Sequence, residues 1–126
     1  VPVGGNITLS VEVVTERMLP NVELGVRFFN SCGDRIQTCH TRFQYPEPIH
    51  ISNHCRLECR IFNCRLVPGI YHIHLILTSG RDVIDRIEKG LWIEVRPRDI
   101  YGTGRILPGH TGLILPEVQW LVFQLS

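Results

Sequence analysis

The sequence has no excess of charge of one sign. Thirteen Lys plus Arg stand against twelve Asp plus Glu, a formal net charge of +1 over 126 residues, so no strong field exists to hold a nucleic-acid backbone or an anionic bilayer. No nucleic-acid partner is expected. Long hydrophobic runs are also missing. The longest uncharged apolar stretches, Ile70 to Gly80 and Ile106 to Pro116, are broken by His, Gly or Pro and fall short of the ~18–20 residues that a spanning helix needs. Direct membrane insertion is therefore not expected. The opening Val1-Pro2-Val3-Gly4-Gly5 has no initiator Met, basic n-region or apolar h-region, and reads as a cut from a longer protein rather than a targeting signal.

Catalytic signatures are absent too. There is no Gly-x-Ser-x-Gly elbow and no Walker loop, and Gly102-Thr-Gly104-Arg105 follows no βα unit that would make it a phosphate cradle. The five cysteines (32, 39, 55, 59, 64) are odd in number and show no Cys-x-x-Cys pair, so free thiols in a reducing compartment are expected. One alternative stays open: Cys39 and Cys59 both fall in expected strands, where a cross-strand bridge is conceivable. At 14.5 kDa the chain is long enough to bury a core without disulfide or metal staples, and 44% hydrophobic against 20% charged residues is far from the signature of disorder. Residues 1–126 are read as one domain.

What the sequence does have is a period of two almost everywhere, the mark of an all-β chain. Ile7, Leu9, Val11 and Val13 alternate with polar residues after the Gly4-Gly5 breaker. Val22, Leu24, Val26 and Phe28 form a second apolar row. Asn30 to Asp34 is a turn in which Gly33 is free to take positive φ, and Arg35 to Thr41 is expected to return as the third strand. Tyr45-Pro46-Glu47-Pro48 is a loop or an edge, because each proline removes a ladder donor. Cys55, Leu57, Cys59 and Ile61 then alternate with Arg56, Glu58, Arg60 and Phe62. Tyr71, Ile73, Leu75 and Leu77 alternate with His72, His74 and Ile76, and two short strands follow at Val83 to Ile87 and Leu91 to Arg96. About seven strands at such spacing predict a two-sheet sandwich, immunoglobulin-like or jelly-roll. Residues 97–126 form a Gly/Pro-rich arm ending in Val118 to Leu125, apolar at nearly every position, which fits a strand buried on both faces and paired with its own sheet or exchanged into a partner's.

A metal reading of the His and Cys residues meets geometric obstacles. Cys55 and Cys59 on one strand lie about 13 Å apart at ~3.3 Å per residue, too far for one zinc. His72 and His74, about 7 Å apart on one face, would need a third ligand from a neighbour. Gly69-Ile-Tyr-His72-Ile-His74 is similar to the cupin metal motif, but its glycine is too close and no acid follows before Gly80. No metal or cofactor is expected, and a metal-dependent jelly-roll enzyme is the third-ranked reading. More informative are the residues of non-core parity: Arg27, Phe29, Glu58, Arg60, His72 and His74, with Tyr45 from the proline loop. On neighbouring strands they would gather planar hydrogen-bonding groups and rings on one surface suited to sugars. The rival is a structural dimerisation or adhesion sandwich without a ligand.

Several stretches together resemble a known family. Val3-Gly-Gly-Asn-Ile-Thr-Leu, Leu24-Gly-Val-Arg-Phe-Phe-Asn-Ser-Cys-Gly33, Leu66-Val-Pro-Gly-Ile-Tyr71, Asp85-Arg-Ile-Glu, Trp92-Ile-Glu-Val, Ile100-Tyr-Gly-Thr-Gly104 and the late Gly112-Leu-Ile…Trp120 look like the C-terminal domain of Wzt-type ATPases, the nucleotide-binding subunits of bacterial ABC exporters for O-antigen and related polysaccharides. The resemblance implies a sandwich that binds the exported glycan and dimerises by exchanging its terminal strand. It also implies a cytoplasmic setting at the inner-membrane face, with a parent ATPase domain and a membrane permease as partners. Lacking the Walker loop, this chain would bind and not hydrolyse. Five cysteines and residues continuing past Trp120 depart from the family pattern. The family offers no invariant ligand motif to carry over, so the site residues rest on strand parity.

Overall fold

The computed structural model describes residues 1–99, 101–105 and 120–123. Among them seven strands form: β1 (Ile7–Val14), β2 (Val22–Phe29), β3 (Arg35–His40), β4 (His54–Ile61), β5 (Gly69–Ser79), β6 (Asp82–Ile87) and β7 (Trp92–Val95), with one helical turn, α1 (Thr41–Gln44). All strand pairs are antiparallel. β1 and β4 make a two-stranded sheet, and the other five make a second sheet ordered β3-β2-β5-β6, with β7 also on β5. β6 takes the Leu75–Ser79 half of β5 and β7 the Gly69–His72 half, so the two short strands share the edge of β5 that β2 leaves free.

The sequence builds this sandwich by alternation. Val22, Leu24, Val26 and Phe28 of β2 and Tyr71, Ile73, Leu75 and Leu77 of β5 are buried in one cluster. Register sets Phe28 against Ile73, both fully buried, each stabilising the fold by about 2–3 kcal/mol on area grounds. The opposing row is covered less completely. Ile7 and Val13 are buried, whereas Leu9, Val11, Cys55, Leu57, Cys59 and Ile61 are only half-buried.

Gly33 takes φ +85° in the β2–β3 turn, where the Asn30 Oδ1 accepts from the backbone N–H groups of Cys32 and Asp34. At the other end of β3 the expectation fails. Thr41 leaves the strand to open α1, because its hydroxyl accepts the N–H of Leu24 and so takes the place of one more rung on β2. No helix among the described residues is long and apolar enough to cross a membrane. Most of the Gly/Pro arm, and all of Val118 to Leu125 except residues 120–123, lies outside the described residues. Those four residues are in no strand.

Candidate functional site

β2 and β5 are the inner strands of the five-stranded sheet, and burying their apolar rows turns the alternate residues outward. Arg27 and Phe29 therefore share the outer face with His72 and His74. Arg27 sits opposite His74, and Phe29 opposite His72. The Phe29 ring reaches the diagonal neighbour, 4.3 Å from the His74 ring at 38°, a spacing at which rings attract. An irregularity between Phe28 and Phe29 pairs Arg35 with Phe29 and brings its guanidinium to 5.8 Å from the ring centroid. On the far side β7 sets Trp92 opposite His72, with 57% of the indole residue exposed. No carboxylate lies within ion-pair reach of Arg27 or Arg35 among the described residues. Rings, imidazoles and two guanidinium groups without a carboxylate partner among the described residues thus share one surface, able to pack on an apolar CH face and to donate to oxygen.

Glu58 and Arg60 are elsewhere. They were expected beside Arg27 and His74, but β4 pairs with β1, setting Ser10 against Glu58 and Thr8 against Arg60. The inner rows of the two sheets meet in a common core, so the outer faces point in opposite directions and the seven residues do not form one surface. On the β1–β4 face Glu58 is held by its own neighbours. Arg60 donates to it through Nη2 at 2.7 Å and Nε at 3.1 Å, and the Arg56 Nε stands 3.5 Å from its other oxygen. The Arg60 hydrogen bond and charge, with Arg56 assisting, hold this carboxyl below its usual range.

The incomplete cover of the β4 row leaves a cavity of about 690 Å³ between the sheets. Leu24, Val26, Leu57 and Ile61 line its depth, while Gln44, Tyr45 and Arg60 are among its polar and aromatic residues. α1 holds the Tyr45 end in place. His40 Nδ1 accepts from the Arg42 N–H at 3.1 Å and caps the turn, Gln44 Oε1 accepts from the His40 N–H at 2.8 Å, and the Arg42 Nε donates to Glu23 Oε1 on β2 at 3.1 Å. Cys39 and Cys59 also line this cavity. Cys39 points in from β3 and Cys59 from β4, and the Cys39 thiol donates a hydrogen bond to the Cys59 sulfur. That bond lowers Cys59 to about 7 and, with burial, pushes Cys39 well up. The remaining cysteines are also free thiols.

Parity alone did not single out Arg35 or Trp92. The signal for Trp92 was present, since Ile93 and Val95 face inward and alternate with it; the signal for Arg35 was not, because a shift of register places it. Among the described residues no group of three His, Cys, Asp or Glu side chains is arranged to hold a metal ion.

No family model and no curated protein matches this sequence. Among solved structures, one described as the crystal structure of the C-terminal domain of Wzt matches with a TM-score of 0.78 at 14% identity, covering 97% of this chain and 72% of that one. By that structural similarity this chain has the fold of the C-terminal domain of Wzt.

Proposed function

We propose that this chain is the carbohydrate-binding module of a bacterial polysaccharide ABC exporter, and that it recognises the O-antigen or related glycan to be exported. The observation that carries the reading is the outer face of the five-stranded sheet, on a fold shared with the Wzt C-terminal domain. There Arg27, Phe29, His72 and His74 are adjacent, and Arg35 and Trp92 extend the surface. A sugar ring packs its CH face on Phe29 or Trp92 while Arg27 and the imidazoles pair with hydroxyls. The module is non-catalytic. Its partners are an ATPase domain and a membrane permease, which place it at the cytoplasmic face of the inner membrane.

Tyr45, Glu58 and Arg60 belong to the cavity on the other side and make a second, weaker glycan subsite. Titration of purified O-antigen polysaccharides into the protein, followed by calorimetry and by Trp emission, separates the two. The main reading expects saturable binding weakened by Arg27→Ala and Phe29→Ala and little changed by Arg60→Ala. The reverse pattern assigns the cavity. Flat titrations across several O-antigens defeat both.

A ligand-free dimerisation module is the second reading, and one observation favours it. Trp120, Leu121, Val122 and Phe123 are exposed to 87, 66, 80 and 78%, a run that calls for a partner surface. Exchange of this terminal segment between two copies would supply one and is compatible with glycan binding. Val122→Asp is expected to convert a sedimenting dimer to monomer, with glycan titration deciding whether binding survives.

A further inference from the structure

The five cysteines stand apart from the Arg27, Phe29, His72 and His74 cluster, yet two of them are brought together by the fold from strands that are not neighbours. Cys39 ends near the open edge of the five-stranded sheet, on β3, and Cys59 lies on β4 of the other sheet. Their thiols meet in a hydrogen bond across the inter-sheet gap, both half-buried and both lining the cavity, so a small solute reaches them without unfolding. Cys55, on the same strand as Cys59, is about 13 Å from it along the chain, Cys64 is buried, and Cys32 sits exposed in the β2–β3 turn. Only one pair is poised.

We propose that Cys39 and Cys59 are a peroxide-sensitive dithiol site whose oxidation links the two sheets across the cavity. Hydrogen peroxide is the co-reactant. The Cys59 thiolate, favoured by the bond from Cys39, attacks one peroxide oxygen. An S–O bond forms, the O–O bond breaks, and the departing hydroxide leaves as water once protonated, giving Cys59 sulfenic acid. The Cys39 sulfur then attacks the Cys59 sulfur. The S–S bond forms, the S–O bond breaks, and the leaving hydroxide takes the Cys39 proton as a second water. Each thiol gives one electron and the peroxide takes two. The disulfide closes a loop carrying α1 and Tyr45, so it ties the mouth of the cavity to its wall.

The test uses the whole chain, reduced, freed of reductant and treated with hydrogen peroxide, then blocked with an alkylating agent and digested with trypsin. Each cysteine falls in a different tryptic peptide. The expected product joins Ile36–Arg42 to Leu57–Arg60, two hydrogens lighter than their sum, and is separated again by dithiothreitol. Cys55 and Cys64 remain alkylated. In Cys39→Ser the link vanishes and Cys59 advances to sulfinic acid; in Cys59→Ser Cys39 stays reduced. A link from Cys59 to Cys55, cross-linking through Cys32 between molecules, or over-oxidised Cys59 beside alkylated Cys39 in the unaltered protein would overturn the proposal. None of these outcomes depends on whether the protein binds a glycan.

Discussion

Gly25 is the position where the sheet and the cavity mouth are coupled, and Gly25→Ala tests that coupling. Gly25 lies on the outer face of β2, paired with His40 of β3 on one side and Ile76 of β5 on the other. A Cβ there would meet the His40 Cδ2 and the Ile76 Cγ2, each at 3.1 Å, a few tenths of an ångström inside ordinary contact. Neither neighbour yields easily. Ile76 is on an inner strand, and the His40 ring caps α1 through Nδ1. Overpacking costs about 1–3 kcal/mol and a strained cap adds up to ~1, while replacing glycine in a strand returns about 0.5–1. The expected net loss is about 2 kcal/mol, roughly 6–10 °C in Tm for a domain of this size. Denaturant melts of Gly25→Ala, His40→Ala and the double variant measure it. Removing the ring removes the clash, so the double variant should be more stable than the sum predicts by at least ~0.5 kcal/mol, and NMR signals of Tyr45 should shift in Gly25→Ala. A Gly25→Ala protein as stable as the parent, or an additive cycle, refutes the coupling.

Other outcomes follow from single contacts. If the proposed glycan face is right, Arg27→Ala is expected to weaken glycan binding ~10–100-fold, the equivalent of one or two charged hydrogen bonds, with unchanged melting because the guanidinium has no ion-pair or hydrogen-bond partner among the described residues. Iodoacetamide labelling of Cys59 should rise with pH around a midpoint near 7, and Cys39→Ala, which deletes the donor, should move that midpoint upward toward an ordinary thiol; an unmoved midpoint contradicts the thiol hydrogen bond. Tyr71 donates to the Val67 carbonyl at 2.7 Å, so Tyr71→Phe should cost about 1–3 kcal/mol by stranding that acceptor. Burial raises the Tyr71 phenol above 10.0, so its contribution is intact below pH 10 and is lost as pH climbs through the folded value. The parent should therefore lose stability in that alkaline window more steeply than Tyr71→Phe. Phe28→Ala, at a site with no exposed surface, should cost about 3–5 kcal/mol in a urea melt.

The strands were legible because half-buried β-structure writes its period directly into the sequence. Val22 to Phe28 and Tyr71 to Leu77 needed no tertiary information. Parity tells which way a residue points relative to its own core row, but not which sheet its strand joins. Arg60 and His74 read alike on that criterion and stand on opposite sides of the molecule, because the pairing of β4 with β1 is decided by packing between segments some fifty residues apart. α1 leaves no such mark for a related reason. One turn has no periodicity, Phe43 on it is exposed, and it forms because Thr41 and Arg42 find partners on β2. The meeting of Cys39 with Cys59 was open as a possibility from their strands, whereas the cavity that admits solutes to them depends on how far the sheets part.

Arg27, Phe29, His72 and His74 stand on the two strands of the larger sheet that have hydrogen-bonded neighbours on either flank. Backbone amides held on both sides open last in hydrogen exchange. A platform mounted there is rigid in the free protein, so a molecule docking on it would lose little ordering entropy, and even a shallow surface of this kind could discriminate by shape.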